Sequence, residues 1–465
     1  MNYPQMKYVN TLTMQEKNKN DLLNLYLYYE LCKRDFWQFC LFYDPEFFTE
    51  RKFLHEVAEA MQDITDDKIN SLSVSLPPRA GKSYITSIYC AWVLGNNPSE
   101  SVMRNTCTAT LYTKFSYDVR DIVKSERFAL IFPDVKLSSD KANLQGWNTN
   151  KSKQVGYFGA GVGGTIIGFG ASKVAITDDL YRGIEDALND NMNARVIQWK
   201  QATHDSRFET GCKRIDIGTR WVVNDVIGYQ MADGVYDKSI IIQALDANDE
   251  TFCPAVMSTE EYIDKRKKTA KEIWLAEYQQ QPMDLKGMLF GEINIIDPDE
   301  FVEVENNVEG CIGYVDVSDT GNDYTACAIG AVVGDQVYIV DYVFDKSNTD
   351  ITIPMVASLL AKWNVTYCRV ESNSMGAMFA RELQRNTKTR VLQVANTQNK
   401  ITRIIMQSAF ILQRFNFIRH DQPQSIRFIE NVLSFSKEGK NKNDDAPDCI
   451  AGLSMFIQSM FKHIR

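Results

Sequence analysis

Two groups of residues in this 465-residue chain have types and spacings suited to phosphate chemistry. The first is Leu76-Pro77-Pro78-Arg79-Ala80-Gly81-Lys82-Ser83. Leu72, Val74 and Leu76 alternate with serines at the period of a strand, Gly81 permits a tight turn, and Tyr84 to Leu94 reads as a helix. Free N–H groups at a helix start attract anions. In a loop of this kind the backbone cradles phosphates, a Lys reaches the β- and γ-phosphates, and a Ser hydroxyl binds Mg²⁺. Pro78, Arg79, Ala80, Gly81, Lys82 and Ser83 are therefore the expected ATP-binding residues, with Ser83 on the metal. Leu76 stands where the pattern usually has Gly, and the plainer reading is a Pro-terminated strand followed by a helix.

Two later stretches fit this loop. Lys173-Val174-Ala175-Ile176-Thr177-Asp178-Asp179 is an apolar strand ending in carboxylates, the Walker B pattern. Asp178 is expected to hold Mg²⁺ and Asp179 to polarise the attacking water, with Glu185 as fallback. Arg214 to Trp221 reads as a strand ending in Gly218-Thr219-Arg220, a polar trio suited to sensing a γ-phosphate. Between them, Gly156 to Gly170 is dense in glycine, which fits either a mobile substrate-facing loop or a set of tight turns.

The second group lies beyond Cys311. Strands are expected at Cys311–Val317, Thr325–Val333 and Gln336–Phe344, the last two joined at Gly334-Asp335. There follow a helix near 352–363, a strand Tyr367–Glu371, a helix from Gly376, a strand Arg390–Val394, and further helices, the last starting near Asp445. This βββαβαβα order is that of an RNase H-like domain. Asp316 sits on its first strand, Glu371 ends its fourth, and Asp444, Asp445 and Asp448 open its last helix; Asp323 follows strand one. Two-metal phosphodiester hydrolysis needs carboxylates converging on ions about 3.5–4 Å apart. Each Asp taken singly also fits a solvated loop or a helix cap.

The fold expected for these residues is α/β, with an N-terminal P-loop ATPase domain of the ASCE type and a C-terminal RNase H-like nuclease domain. The expected boundaries are 1–60 for a helical lid, 61–250 for the ATPase domain, 251–305 for a linker and 306–465 for the nuclease. The aromatic-rich stretch 21–48 reads as helices, either plain core or a wall for an adenine ring. Residues 5–20 are polar and read as frayed. A helix is expected at 51–64, a short strand at Cys107–Thr110, a helix at 117–125 and one charged helix over 260–281. Net charge is −9, which gives no global nucleic-acid signal, yet Arg381 to Lys442 holds twelve Lys or Arg against four acidic residues. That tract reads as a DNA-backbone track or as a solvated face. The ten cysteines include no C-x-x-C pair and read as reduced thiols, no histidine pair has metal-ligand spacing, and no run is long enough to span a membrane.

Taken together and in this order, these motifs resemble the large terminase subunit of tailed double-stranded DNA phages. Pro77 to Ser83 looks like that family's variant P-loop, in which an internal Arg is usual and the first Gly is often absent. Gly163-Gly164-Thr165 through Asp178-Asp179 resembles its lead into Walker B, and Gly218-Thr219-Arg220-Trp221 its coupling motif. Ala276 to Pro282 is similar to a segment found before its nuclease. Asp316, Glu371 and Asn443-Asp444-Asp445 look like its nuclease triad, with Asn443 where His is frequent. The resemblance implies Arg79 and Asp179 as catalytic in ATP hydrolysis and Thr219 and Arg220 as the coupling pair. It further implies Asp316, Glu371 and Asp445 as catalytic in the nuclease, with Asp444 and Asp448 as further metal ligands. ATP and Mg²⁺ are the implied cofactors, with Mn²⁺ substituting in the nuclease site. Implied partners are double-stranded DNA, a portal protein, a small terminase subunit, further copies in a pentameric ring with a neighbour's arginine completing the ATP site, and no membrane; alone the chain is expected as a monomer. The implied location is the host cytoplasm, outside the mature virion. The rival readings are a helicase-like or repair ATPase fused to a nuclease, and a nucleotide-regulated DNA-binding protein with inert carboxylates.

Overall fold

The computed structural model describes residues 19–142, 146–282, 287–317, 323–372, 375–396, 399–437, 441, 443–461 and 463. The N-terminal expectation for residues 5–18, and Lys440 and Lys442 of the basic tract, lie outside the described residues. The chain forms two compact units. One comprises Met1–Arg182, Asp190–Arg220 and Asn224–Ser258; the other comprises Gly183–Asn189, Trp221–Val223 and Thr259–Arg465.

The first unit is built on an eight-stranded sheet of β1 (Ser71–Ser75), β2 (Val102–Thr106), β3 (Leu137–Ala142), β4 (Gly146–Thr149), β5 (Tyr157–Phe158), β6 (Val174–Asp178), β7 (Lys213–Ile217) and β8 (Lys238–Ile241), in the order β3-β4-β5-β2-β6-β7-β1-β8. Its central strands are parallel and buried on both faces, as a sheet covered by helices requires. The phosphate-loop strand β1 and the Walker B strand β6 are separated by β7, the additional strand of the ASCE arrangement. Ligands of such sheets bind at the carboxyl ends of the strands, and Gly81, Asp178 and Gly218 follow or end three of them. The aromatic-rich N-terminal stretch forms three helices, Lys19–Arg34, Phe36–Tyr43 and Pro45–Glu50, the latter two capped by Asp35 and Asp44. Phe36, Phe39 and Phe48 are core residues.

Two expectations for this unit need correction or a decision. The strand expected at Cys107–Thr110 is instead β2, Val102–Thr106, and Thr108 caps the following helix Ala109–Lys124 by accepting from the Leu111 N–H at 3.2 Å. Arg104 and Asn105 obscure β2 because buried polar residues rarely sit mid-strand. Asn105 is satisfied there by the Ala160 N–H and the His204 imidazole, each at 2.7 Å. The glycine-dense run divides: Gly163 and Gly168 turn the chain at φ +82° and +89°, whereas a Cβ on Gly159 would lie 1.8 Å from the Arg104 carbonyl oxygen, and one on Gly161 2.4 Å from the Ala109 nitrogen. Because both obstacles are backbone, Gly159→Ala is expected to cost at least about 2 kcal/mol, read as a lowered denaturant midpoint at unchanged m.

The second unit carries a seven-stranded sheet of β9 (Asn294–Ile296), β10 (Gly310–Asp316), β11 (Thr325–Val333), β12 (Gln336–Asp345), β13 (Tyr367–Glu371), β14 (Arg390–Val394) and β15 (Phe415–Ile418), ordered β14-β13-β10-β11-β12-β15-β9. β10, β11 and β12 are antiparallel, while β13 and β14 join β10 in parallel. The stretch read as linker contributes edge strand β9, paired with β15. The helix Asp445–Met460 is almost wholly buried. The single charged helix expected over 260–281 is corrected: it ends at Lys268, the chain turns extended at Ala270 (φ −52°, ψ 136°), and helical turns resume at Lys271–Ile273 and Trp274–Tyr278. The break brings Trp274 to stack on Tyr278 at 5.0 Å and to meet Tyr262 edge-on at 6.2 Å. Burying these rings outweighs helical continuity.

Candidate active sites

In the first unit, Gly81 turns the chain with φ +101° and caps the helix Lys82–Asn96. A Cβ there would meet the Phe47 ring at 2.8 Å, so both backbone and space require glycine. Arg79 is exposed with φ +63°, a strained conformation for a residue with a side chain. Lys82 is buried and donates to the Leu76 carbonyl at 3.0 Å and to Thr219 Oγ1 at 3.2 Å; its Nζ lies 3.9 Å from Asp179 Oδ2. Ser83 Oγ donates to Asp178 Oδ1 at 3.1 Å. The Thr219 N–H donates to Asp179 Oδ1 at 3.0 Å, so the segment after β7 touches both Lys82 and Asp179. Asp179 itself adopts φ +50°. The structure thus brings Lys82, Ser83, Asp178, Asp179 and Thr219 together. Arg220 donates through Nε to both carboxylate oxygens of Asp225, at 3.0 and 3.1 Å. Glu185 opens a short helix, Ile184–Leu188, that belongs to the second unit. Burial, followed by the charge of Asp179, pushes the Asp178 carboxyl pKa up, while the Arg104 guanidinium opposes the shift.

In the second unit, Asp316 and Glu371 end neighbouring parallel strands and Asp448 lies in the first turn of the last helix. One carboxylate oxygen from each lies within 4.8 Å of the others. Burial and then the charge of Asp448 push the Asp316 pKa well up, and burial raises those of Asp445 and Asp448. Carboxylates at this spacing repel one another unless cations balance them; Lys400 and Arg403 do so in part, and the three hard oxygen donors suit Mg²⁺ or Mn²⁺ for the remaining negative charge. Asp445 stands beside the trio, accepting from the Tyr324 N–H at 3.1 Å. Asp444 accepts from Lys400 Nζ at 2.6 Å. The Asn443 carbonyl accepts from Asn431 at 3.0 Å. Asp323 adds its negative charge near Asp445.

Two cations that the sequence reading placed in the basic tract face this cluster. Lys400 Nζ is 3.5 Å from Asp448, 3.7 Å from Asp445 and 3.9 Å from Asp316. Burial acts to lower its pKa, but Asp316, Asp448 and Asp444 outweigh it and hold the ammonium charged. Arg403, one turn along the same helix, donates to Asp448 Oδ1 through Nε at 2.9 Å and again through a terminal nitrogen, which also reaches Glu371 Oε2 at 3.4 Å. Tyr314 OH donates to that Glu371 oxygen at 3.5 Å and accepts from Asn396 at 3.0 Å. The one advance signal for Lys400 and Arg403 is membership of the basic tract between Arg381 and Lys442. Arg381, Lys388 and Arg390 of the same tract are exposed.

Residues 315–416 match the family model described as the ribonuclease H-like domain of the bacteriophage T7 terminase. This region is a terminase RNase H-like domain. The match bears out, over the stretch from β10 to β15, the terminase resemblance read from the motifs. Among solved structures, the large terminase of a thermophilic bacteriophage is similar, with 9% identity over 86% of this chain and 98% of that one and a TM-score of 0.47. The bacteriophage HK97 large terminase gives 11% identity over 84% and 93%, with a TM-score of 0.34. The human cytomegalovirus terminase nuclease domain gives 14% identity over 36% and 90%, with a TM-score of 0.27. The thermophilic phage protein has been solved with ADP and with ATP-γ-S, and the cytomegalovirus domain with Mn. No curated protein matches the chain at a significant level.

If the carboxylate cluster takes up divalent cations, Mn²⁺ is expected to raise the protein's thermal stability by mass action, about 2.7 kcal/mol at a hundredfold excess over Kd. Differential scanning fluorimetry of Asp316→Ala should show most of that gain lost.

Proposed function

We propose that this chain is the large subunit of a phage DNA-packaging terminase, in which ATP hydrolysis drives double-stranded DNA into a procapsid and a metal-dependent nuclease cuts the concatemeric genome. The observation that carries this reading is the convergence of Asp316, Glu371 and Asp448, the first two inside the stretch that matches the terminase RNase H-like model, in a chain that also brings Lys82, Ser83, Asp178, Asp179 and Thr219 together.

At the ATP site, Lys82 and the N–H groups after Gly81 hold the phosphates, Ser83 and Asp178 hold Mg²⁺, and Asp179 orients the attacking water. Arg79, exposed on the loop, is a cation for the developing γ-phosphate charge. Loss of that phosphate frees Lys82 to tighten on Asp179 and Thr219, and Thr219 carries the change into β7. At the nuclease site, Asp316, Glu371 and Asp448 are the ligands for two Mg²⁺ or Mn²⁺ ions, with Asp444 and Asp445 at the rim. Such ions activate water and stabilise the leaving oxygen. Arg403 fixes the Glu371 and Asp448 carboxylates, and Lys400 balances the cluster's charge. The proposal includes a portal protein and a small terminase subunit as partners, a pentameric ring with a neighbour's arginine at the ATP site, and action in the host cytoplasm.

The purified chain is expected to nick and linearise supercoiled plasmid with Mg²⁺ or Mn²⁺ and to leave it intact in EDTA. Failure to cut with either metal, alongside retained DNA binding, would favour a nucleotide-regulated binding protein instead.

A further inference from the structure

Arg104 lies on β2 in register with Ile176 of β6, and no sequence motif marks it. Its side chain is fully buried, yet every guanidinium nitrogen is engaged. Nε donates to Asp178 Oδ2 at 3.2 Å, one terminal nitrogen donates to the same oxygen and to the Ser83 carbonyl at 3.0 Å, and the other donates to Ser87 Oγ at 2.8 Å. Ser87 Oγ in turn donates to the Ser83 carbonyl at 2.9 Å, and the Phe115 ring covers the guanidinium face at 3.9 Å. One buried cation therefore ties the carboxylate at the end of β6 to the first turn of the phosphate-loop helix.

The way the carboxylate is divided matters. Arg104 takes only Oδ2, so Oδ1 is left facing Ser83 Oγ, and these two oxygens are the expected Mg²⁺ side of the pocket. A planar guanidinium held by four bonds and an aromatic face has little freedom, so it fixes both the Asp178 rotamer and the Asp178–Ser83 spacing. We propose that Arg104 is a positioning residue that sets the Mg²⁺ affinity of the nucleotide site. This rests on the ATPase reading above. Lysine is a poor substitute, because an ammonium cannot span Asp178, Ser83 and Ser87 at once.

The test is binding of a fluorescent, non-hydrolysable ATP analogue to the full chain, titrated with Mg²⁺ and repeated in EDTA. Arg104→Lys is expected to raise the Mg²⁺ concentration at half-maximal binding by about 10- to 100-fold, the range for lost outer-sphere partners, while metal-free binding in EDTA stays close to wild type. Ser87→Ala keeps the buried ion pair and removes one tether, so it remains testable even where Arg104→Lys folds poorly; its midpoint is expected to shift the same way by less. Mg²⁺ midpoints that coincide with wild type in both variants would overturn the role of Arg104 while leaving the ATPase reading intact. Absence of analogue binding by the wild type would overturn the ATPase reading itself.

Discussion

Asp316→Ala is expected to lose metal-dependent plasmid cutting by about 10³-fold or more while ATP turnover stays near wild type. Asp316 supplies one of three converging carboxylates, and its oxygen lies within 4.8 Å of those of Glu371 and Asp448. Metal ions contribute several kcal/mol of transition-state charge stabilisation, and each 1.36 kcal/mol is tenfold in rate. Removing this ligand also leaves Lys400 facing one carboxylate fewer, so the remaining cluster is drawn closer to internal neutrality and attracts a divalent ion less. The measurement is initial-rate nicking of supercoiled DNA with Mn²⁺, wild type beside variant, with phosphate release followed on the same preparations. Equal cutting rates would show that the chemistry lies elsewhere.

Lys82→Ala is expected to do the reverse. Its ammonium is held between the Leu76 carbonyl and Thr219 Oγ1, 3.9 Å from Asp179. Removing it takes away the charge proposed to meet the β- and γ-phosphates, and phosphoryl transfer depends almost entirely on such positioning and electrostatics. A loss of about 10²- to 10³-fold in ATP turnover is expected, by analogy with deleting one preorganised donor. Plasmid cutting by the isolated variant should remain. The fold should tolerate the change, which removes two hydrogen bonds, to the Leu76 carbonyl and to Thr219 Oγ1, each worth about 1 kcal/mol.

The motifs were legible because phosphate chemistry restricts residue type. A loop wrapping phosphates needs Gly81, Lys82 and Ser83 in sequence, and a buried strand ending in Asp178-Asp179 has few other uses. The nuclease carboxylates were legible for the same reason, each at a strand or helix end. What could not be read was the choice among Asp444, Asp445 and Asp448. All three open one helix, and only the helix's placement over β10 turns Asp448 toward Asp316 and Glu371. The supporting cations were hidden by their chemistry: Lys400 and Arg403 look like any basic surface until the fold turns them inward. Arg104 disguised its own strand, because polar side chains in a central strand argue against burial unless the partner across the sheet is known. The extended turn at Ala270 was likewise invisible to helical periodicity, since it arises from packing among Tyr262, Trp274 and Tyr278.

The proposed coupling of ATP hydrolysis to DNA movement in one chain is measured by recovering DNase-protected DNA from procapsids incubated with linear DNA, small subunit, this chain and Mg-ATP. Protection is expected with wild type and with Asp316→Ala, and none with Lys82→Ala. Strand separation of duplex DNA by the wild type, with no protected DNA in an ATP-hydrolysing reaction, would contradict it and point to a helicase-like enzyme carrying the same two sites.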